Sequence, residues 1–562
     1  MFNGGRREVQ ISIVRVKGKL INDPERLAPT MKQFMSWCLA ALLFAATAVV
    51  SPAQDVDSVA PVTEASEQLA LAACGPRIRK PWELLLPQEK ELYLRAIAMS
   101  MDDGYYIKFV EIHTEQMTTV EAHNTCMFIY WHRLLLLGFE NMLRSYGGEF
   151  SCITVPYWNY VDDNQRYMAG GCRSMEECSL LLREFGGSLN GYGRSVNING
   201  SPIGGTCVVT PPLDHFCEAS HLHGGGCARC VPRGNWLGSP FPPTTTVSSL
   251  ARQLFATPTI AGVVANLELG IHDTVHSALS GAMGFLEAPA DPIFFSHHAT
   301  IDLLHSIYYK CVVGNTVPIP LEQKLGDPRV YTECPRREPL PVNVLDRNVL
   351  LPQSNILLRT GEEGINPTSV FSQFNMLDPF FSVLPSEYLS LSDIRDIGVF
   401  SYNYEMTGLL AEMFMTCPGA GFGLGMAGAG MPFRHLESSA NTTEEKSKFV
   451  EAVIVPSNQT VATWYKEALA AASNSSSVES AMADASQDAL TAIEDVEKMT
   501  CVFYDECRGG VHDFSDDFRQ SFHANGSSPC SAILTNIKSG RDHIQTPNWR
   551  SIFLRHMKCD DA

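Results

Sequence analysis

Basic residues are the scarce class in this 562-residue chain: 42 Lys and Arg stand against 61 Asp and Glu, a formal net charge of −19 at pH 7. No basic, aromatic-studded stripe relieves that balance, so nucleic acid is excluded as a partner. Long apolar runs are also scarce. The one of note, Phe34 to Val50, falls just short of a comfortable membrane span. It lies within Met31 to Ala53, where a Lys, an apolar stretch and small residues near the end form the pattern of a secretory signal peptide. An uncleaved signal anchor is the alternative, and only then would the chain meet a membrane. A signal opening at residue 31 points to Met31 as the true start and to residues 1–30 as a gene-model extension.

Removing residues 1–53 takes away seven Lys/Arg and three Asp/Glu and moves the formal charge from −19 to −23. Of 17 cysteines, Cys38 leaves with the signal, and the remaining 16 permit up to eight disulfides, as suits an oxidising compartment. Sequons at Asn199, Asn441, Asn458, Asn474 and Asn525 are compatible with a secreted, extracellular glycoprotein. The 45% hydrophobic and 18% charged composition is that of a soluble globular chain, long enough for one large core and a second module.

What is present is histidine in metal-ligand patterns. His272 and His276, in I-H-D-T-V-H, stand four apart, which on a helix stacks both imidazoles on one face. Such a pair is often a surface coincidence. His297 and His298 follow a second apolar run, D-P-I-F-F-S, from which one of them can complete a three-nitrogen site. A second cluster strengthens the metal reading: His113, His123, and His132 inside T-C-M-F-I-Y-W-H-R-L-L-L-L-G-F-E-N-M-L-R. From Thr125 to Tyr146 the residues Phe128, Trp131, Leu135, Phe139 and Met142 track one helical stripe that Gly147-Gly148 ends, with His132 beside it. Nitrogen-only ligation with no carboxylate or Cys at ligand spacing suits Cu, Zn or Fe and argues against Mg or Mn.

These motifs, H-x9-H-x8-H with F-x-x-W-H-R-x-x-L-x-x-F-E, then P-Y-W-N at Pro156 to Asn159, H-x3-H and D-P-x-F-x-x-H-H-x-x-x-D, resemble those of the tyrosinase and polyphenol oxidase family of type 3 copper proteins. The resemblance runs from about Cys74 to Met406. It implies a mainly α fold: an antiparallel four-helix bundle holding a dinuclear copper site, wrapped by loops and short strands, with a C-terminal extension. It implies two copper ions, the first on His113, His123 and His132, the second on His272, His276 and His298, with His297 a neighbour. By the same resemblance the ions use O2 to oxidise phenols and catechols to o-quinones, the monooxygenase chemistry that leads to melanin.

Glu268, one turn before His272, can reach the site mouth and orient a water there. Resembling enzymes carry such a Glu, often with an Asn after the first ligand, where this chain has Asp273. Leu286 matches the position of a gate side chain, with Phe285 as the other candidate. Phe294 and Asp302, one turn before and after His298, can stack on the imidazole and fix the helix or a ligand. Two departures stand out: His305 replaces a common Trp seven residues after the last ligand, and Glu121 replaces the Cys that forms a thioether in many relatives.

The remaining chain is expected to supply frame and tail. Residues 54–73 read as a spacer, with order from Cys74; a helix spans Pro87 to Met101. Gly191 to Gly205 reads as too Gly-rich for regular structure. The cysteines of Gly170 to Pro240, including those of H-L-H-G-G-G-C-A-R-C, read as disulfides before zinc ligands. F-S-Y-N-Y at Phe400 to Tyr404 reads as a strand meeting Arg77 or Arg79. The boundaries are thus a dicopper domain over 74–417, a Gly-rich linker over 418–432 and an extension over 433–562, a possible shield of the site with no catalytic motif of its own. The histidines at 435, 512, 523, 543 and 556 read as surface residues. A haemocyanin-like oxygen carrier is the alternative function, and dizinc hydrolysis is disfavoured because no bridging carboxylate is at hand.

Overall fold

Helix dominates the computed structural model, which describes residues 61–314, 318–337, 349–417, 449–455, 463–474 and 487–559. Residues 1–30, the signal segment, the Gly-rich linker and the sequons at Asn441 and Asn458 lie outside the described residues. Order begins before Cys74: α1, Glu64–Cys74, is capped by Thr63, and its buried Glu67 pairs with Arg77 at 2.6 Å and Arg144 at 3.0 Å. That carboxylate, in a stretch whose composition reads as spacer, ties the segment to the core.

β1, Arg77–Arg79, leads into α2, Pro87–Asp102, which starts at the expected proline. α3, Tyr105–Thr114, and the short α4, Gln116–Ala122, then bring the chain to α5, Phe128–Arg144, of which every residue is buried. α5 ends before Gly147, whose positive φ of 69° a side chain would strain. Wholly buried, α5 needs partners for its charges: Glu140 takes Arg77 at 3.1 Å and Arg79 at 3.0 Å, and Arg133 takes Asp302 at 2.7 Å. At Gly138 the Phe381 ring lies 2.1 Å from where a Cβ would stand, so the helix must lack a side chain there.

Gly191 to Gly205, expected to lack regular structure, lies in a hairpin. β2, Gly191–Ile198, and β3, Ser201–Val208, pair antiparallel, and β3 pairs with β4, Val231–Arg233. Asn199 and Gly200, both at positive φ (44° and 95°), form the two-residue turn, and Asn-Gly is the strongest short-range hairpin signal. The Asn199 amide is itself buried, donating to Thr114 Oγ1 at 2.7 Å and accepting from Glu363 N at 2.7 Å, so this sequon is closed in the fold. Asn474 and Asn525 are exposed.

α6, Val247–Phe255, and α7, Ile260–Leu267, precede a π-helical turn, Glu268–His272, that runs directly into α8, Asp273–Leu279. Gln253 Oε1 accepts the Ile271 N–H at 2.9 Å and so satisfies a backbone donor beside the wide turn. α9, Ile293–Tyr308, carries the H-H pair. β5, Tyr402–Met406, pairs parallel with β1 and with β6, Val453–Ile454, and the Arg79 guanidinium lies 3.9 Å over the Tyr402 ring.

All sixteen cysteines downstream of the signal pair: 74–152, 126–334, 172–178, 207–230, 217–227, 311–417, 501–530 and 507–559. The zinc reading of His221 to Cys230 thereby falls away. The C-terminal helices share the main core rather than forming one of their own. In α10, Gln487–Cys507, Glu497 accepts from Ser249 Oγ at 2.8 Å, and past its end the Arg508 carbonyl accepts from Tyr167 at 2.7 Å. α11, Asp516–Phe522, follows. Among the described residues no helix is long and apolar enough to cross a membrane.

Candidate metal centre

Four helical segments carry five of the six expected ligands: His113 on α3, His132 on α5, His272 and His276 on the π turn and α8, and His298 on α9. His123 is on no helix. It caps α4 in extended backbone (φ −128°, ψ 146°), because the chain turns there through Asn124 at a φ of 56°. The expectation of six ligands on four helix faces is corrected to five and one cap.

The ligand atoms of His113, His123 and His132 lie within 4.8 Å of one another, as do those of His272, His276, His297 and His298. The two groups abut: the His132 and His298 rings stack at 4.2 Å, and those of His123 and His272 are 6.0 Å apart. Second partners orient most of the rings. Nδ1–H of His113 donates to the Leu286 carbonyl at 2.5 Å, that of His132 to Phe128 O at 2.8 Å, and that of His276 to Met283 O at 2.7 Å. His272 Nδ1 meets Asp273 Oδ1 at 2.8 Å, and His123 Nδ1 lies 3.3 Å from Thr119 Oγ1. With these Nδ1 atoms engaged in this way, the Nε2 lone pairs face inward, and those of His123, His272 and His276 are buried with no partner among the described residues.

Burial drives every one of these imidazoles toward the neutral form. His113 and His272 are each lowered to about 3, and the others fall well below the usual histidine range, with neighbouring imidazoles adding to the effect of burial at His123, His132, His276 and His298. Neutral, preoriented, desolvated nitrogens without a carboxylate among them are a donor set for a soft-to-borderline metal, and the site fits copper by that chemistry. His297 belongs to the same group geometrically, with its ring 4.9 Å from His276, yet it lies toward Tyr160 at 6.0 Å. His298 is the one that also faces the first group.

The other expected residues sit as follows. Phe294 packs on His298 at 4.2 Å and on His113 at 5.1 Å. Asp302 touches no ligand; it holds Arg133, Arg79 at 3.5 Å and the hydroxyls of Tyr402 and Tyr404 at 2.7 and 2.5 Å. Against burial, the two guanidiniums keep its carboxyl below the ordinary range. Glu268 accepts the Asn124 N–H at 2.6 Å, beside His123, and burial with Asp273 nearby pushes its carboxyl well up. Glu121, at the thioether position, is buried on Arg336 at 2.7 Å.

A residue the sequence reading missed lies at the mouth. The Phe522 ring of α11 stands 5.3 Å from His123 and His276, 6.2 Å from His272 and 6.4 Å from His113. The segment is fastened on each side: Leu286 N donates to Ser521 Oγ at 2.9 Å, Asn124 Nδ2 to the Phe522 carbonyl at 3.4 Å, and Ser515 N to Ser277 Oγ at 2.9 Å. Phe514, Phe518 and Phe522 form a small cluster with Leu286 against it. Their four-residue spacing is visible in F-S-D-D-F-R-Q-S-F, but nothing local says what the third ring faces.

A mainly helical protein with two adjoining all-histidine groups is the class that fold and site define. Residues 103–310 match the family described as the common central domain of tyrosinase, and both histidine groups lie within that match. It is 25% identical over 252 residues to the tyrosinase-like protein phomQ1' of Diaporthe leptostromiformis, covering 41% of this chain and 62% of that one. A tyrosinase-like protein of Pinctada maxima is 29% identical over 245 residues (40% and 48%), and a tyrosinase of Streptomyces lincolnensis 28% over 243 residues (40% and 80%). The match thus spans about six-tenths of the length of the first relatives. The solved polyphenol oxidase of Thermothelomyces thermophila is similar at 19% identity with a TM-score of 0.36, covering 61% of this chain and 94% of that one.

Proposed function

We propose that this protein is a secreted dicopper oxidase that uses O2 to convert phenols and catechols to o-quinones, two catechols per O2 yielding two quinones and two waters. The observation that carries the reading is the pair of buried imidazole groups whose Nε2 atoms converge while each Nδ1 but those of His297 and His298 is held. His113, His123 and His132 would hold one copper, and His272, His276 and His298 the other. Bound copper supplies O2 binding and electron transfer. The chain's own residues do the rest: the carbonyls of Leu286, Phe128 and Met283 and the Asp273 carboxylate fix ring orientation, and Phe294 packs against ligands of both groups. Glu268, at the mouth, is assigned to orient a water that takes the phenol proton, a role for which a phenol pKa of about 10 creates the need. Asp273 acts by holding His272 rather than by meeting substrate.

Residues 433–562 are assigned as an intramolecular shield, with Phe522 occupying the place a phenol ring would take. That same ring favours a second reading, an oxygen carrier or silent relative whose mouth stays closed. Copper analysis with oxygen uptake on a monophenol and a catechol separates them. Two coppers per chain and turnover once the shield is displaced support the oxidase; oxygen binding without turnover in the opened protein supports the carrier; two zincs and no copper defeat both. Glu268→Gln leaving monophenol and diphenol rates equally unchanged would remove the role given to Glu268.

A further inference from the structure

Three hydrogen bonds seat α11, and each ends on a residue beside a histidine of the centre or bonded to one. Ser515 N donates to Ser277 Oγ at 2.9 Å, next to His276, and Asn124 Nδ2, next to His123, donates to the Phe522 carbonyl at 3.4 Å. The third reaches furthest. Leu286 N donates to Ser521 Oγ at 2.9 Å, and the carbonyl of the same Leu286 is the acceptor that holds His113 Nδ1–H at 2.5 Å. Both backbone polar groups of this one residue are therefore engaged outside its own segment, one with a candidate ligand and the other with the C-terminal extension. Its side chain also packs on the cluster of Phe514, Phe518 and Phe522.

The other carbonyls that orient ligands are fixed by their own elements. Phe128 O, which holds His132, belongs to the first residue of α5, and Met283 O, which holds His276, lies inside the tight helical turn Ala282–Gly284. Leu286 falls between that turn and the next, Ala288–Ala290, so no hydrogen bond within a helix fixes its peptide groups. From the other side the Glu287 carboxyl, accepting from Ser201 Oγ at 2.6 Å, steadies the turn. A ligand whose second nitrogen is held by a fixed partner is already oriented for metal, and loss of such a partner lowers metal affinity by roughly 10–100-fold. We propose that Ser521 is a positioning residue for the first metal site: by fixing Leu286 it fixes His113, so the seated extension retains the metal as well as covering it. The inference rests on the dicopper reading. By linkage, a filled first site in turn holds α11 in its seat.

The test is the copper content of the full chain, loaded with copper and dialysed to equilibrium against graded EDTA, in the parent, Ser521→Ala and Ser521→Thr. In Ser521→Ala one copper of the two is expected to leave at an EDTA concentration about three- to tenfold lower, a smaller effect than loss of a direct partner because Leu286 itself remains. Ser521→Thr keeps the acceptor oxygen and is expected to follow the parent. Two backgrounds identify the ion. In His298→Ala the copper that remains is on His113, His123 and His132 and should leave early when Ser521 is replaced by Ala; in His132→Ala it is on the second group and should not move. A parent that binds no copper defeats the dicopper reading and this inference with it. Two coppers with the same release curve in the parent and Ser521→Ala overturn the inference alone, and so does equal weakening in both backgrounds, which marks general loosening rather than action through Leu286.

Discussion

Replacing Phe522 by Ala is the most direct test of what closes the site. The ring is 3% exposed, packed between Phe518 at 4.6 Å and the imidazoles of both groups. Burying a Phe side chain stabilises the closed arrangement by roughly 1.5–3 kcal/mol. Losing that should raise the open population by a factor of about 10 to 100, at about 1.4 kcal/mol per decade. Because apparent affinity scales with the fraction of molecules competent to bind, kcat/KM for a small catechol should rise by the same factor until the open form dominates. Truncation is not removal: the hydrogen bonds from Leu286 to Ser521 and from Asn124 to the Phe522 carbonyl remain, each adding about 0.5–1.5 kcal/mol to closure. Oxygen uptake at matched copper content is the assay, with Phe514→Ala as the control, since that ring makes no contact with the histidines at the distances seen for Phe522. A kcat/KM within twofold of the parent at two coppers per chain would refute the shield.

Cutting within residues 418–432 should by itself leave the extension bound and the rate nearly unchanged, because β6 and α10 are packed into the main core; size exclusion and oxygen uptake before and after mild denaturant check this. The Cys501–Cys530 bridge closes a loop around α11, so the shield travels with α10. His132→Ala or His298→Ala should abolish oxidation and lower copper toward one per chain in a folded protein, whereas His297→Ala should keep two; normal activity with two coppers in His298→Ala would overturn the ligand assignment. Stability should fall as pH rises from about 7 to 8.5, above the range in which the buried neutral imidazoles, protonated only when unfolded, make it rise. Burial and Asp163 raise Glu83 to about 8, and burial raises Asp163 to about 6, so both favour the protonated fold. That contribution is complete below their unfolded values and is lost as pH climbs through 6 to 8. Denaturant midpoints at the two pH values measure it, and Glu83→Gln should flatten the difference; an unchanged slope in that variant would exclude Glu83 as the source.

Histidine spacing and apolar period made the centre legible without coordinates. His272 and His276 at four residues, the stripe around His132 and the two phenylalanines before His297 are all local patterns, since helix periodicity maps sequence distance directly onto a face. The even cysteine count permitted up to eight disulfides, a reading from the chemistry of the compartment and not from geometry, and all eight are formed. What failed locally failed through competing signals, as where glycine content masked the Asn199-Gly200 turn, or through a partner distant in sequence, as where Glu67 found Arg77 and Arg144 and ordered an apparent spacer. Tertiary structure alone decided which nitrogen of each imidazole is free, because Leu286, Met283 and Asp273 reach those rings only after the chain has folded. It alone decided that Asp302 braces Arg79 and Arg133 instead of a ligand. And it alone set Phe522 over the clusters, 224 positions beyond His298 in the chain (522 − 298), since no periodicity within α11 records what another part of the molecule places beneath it.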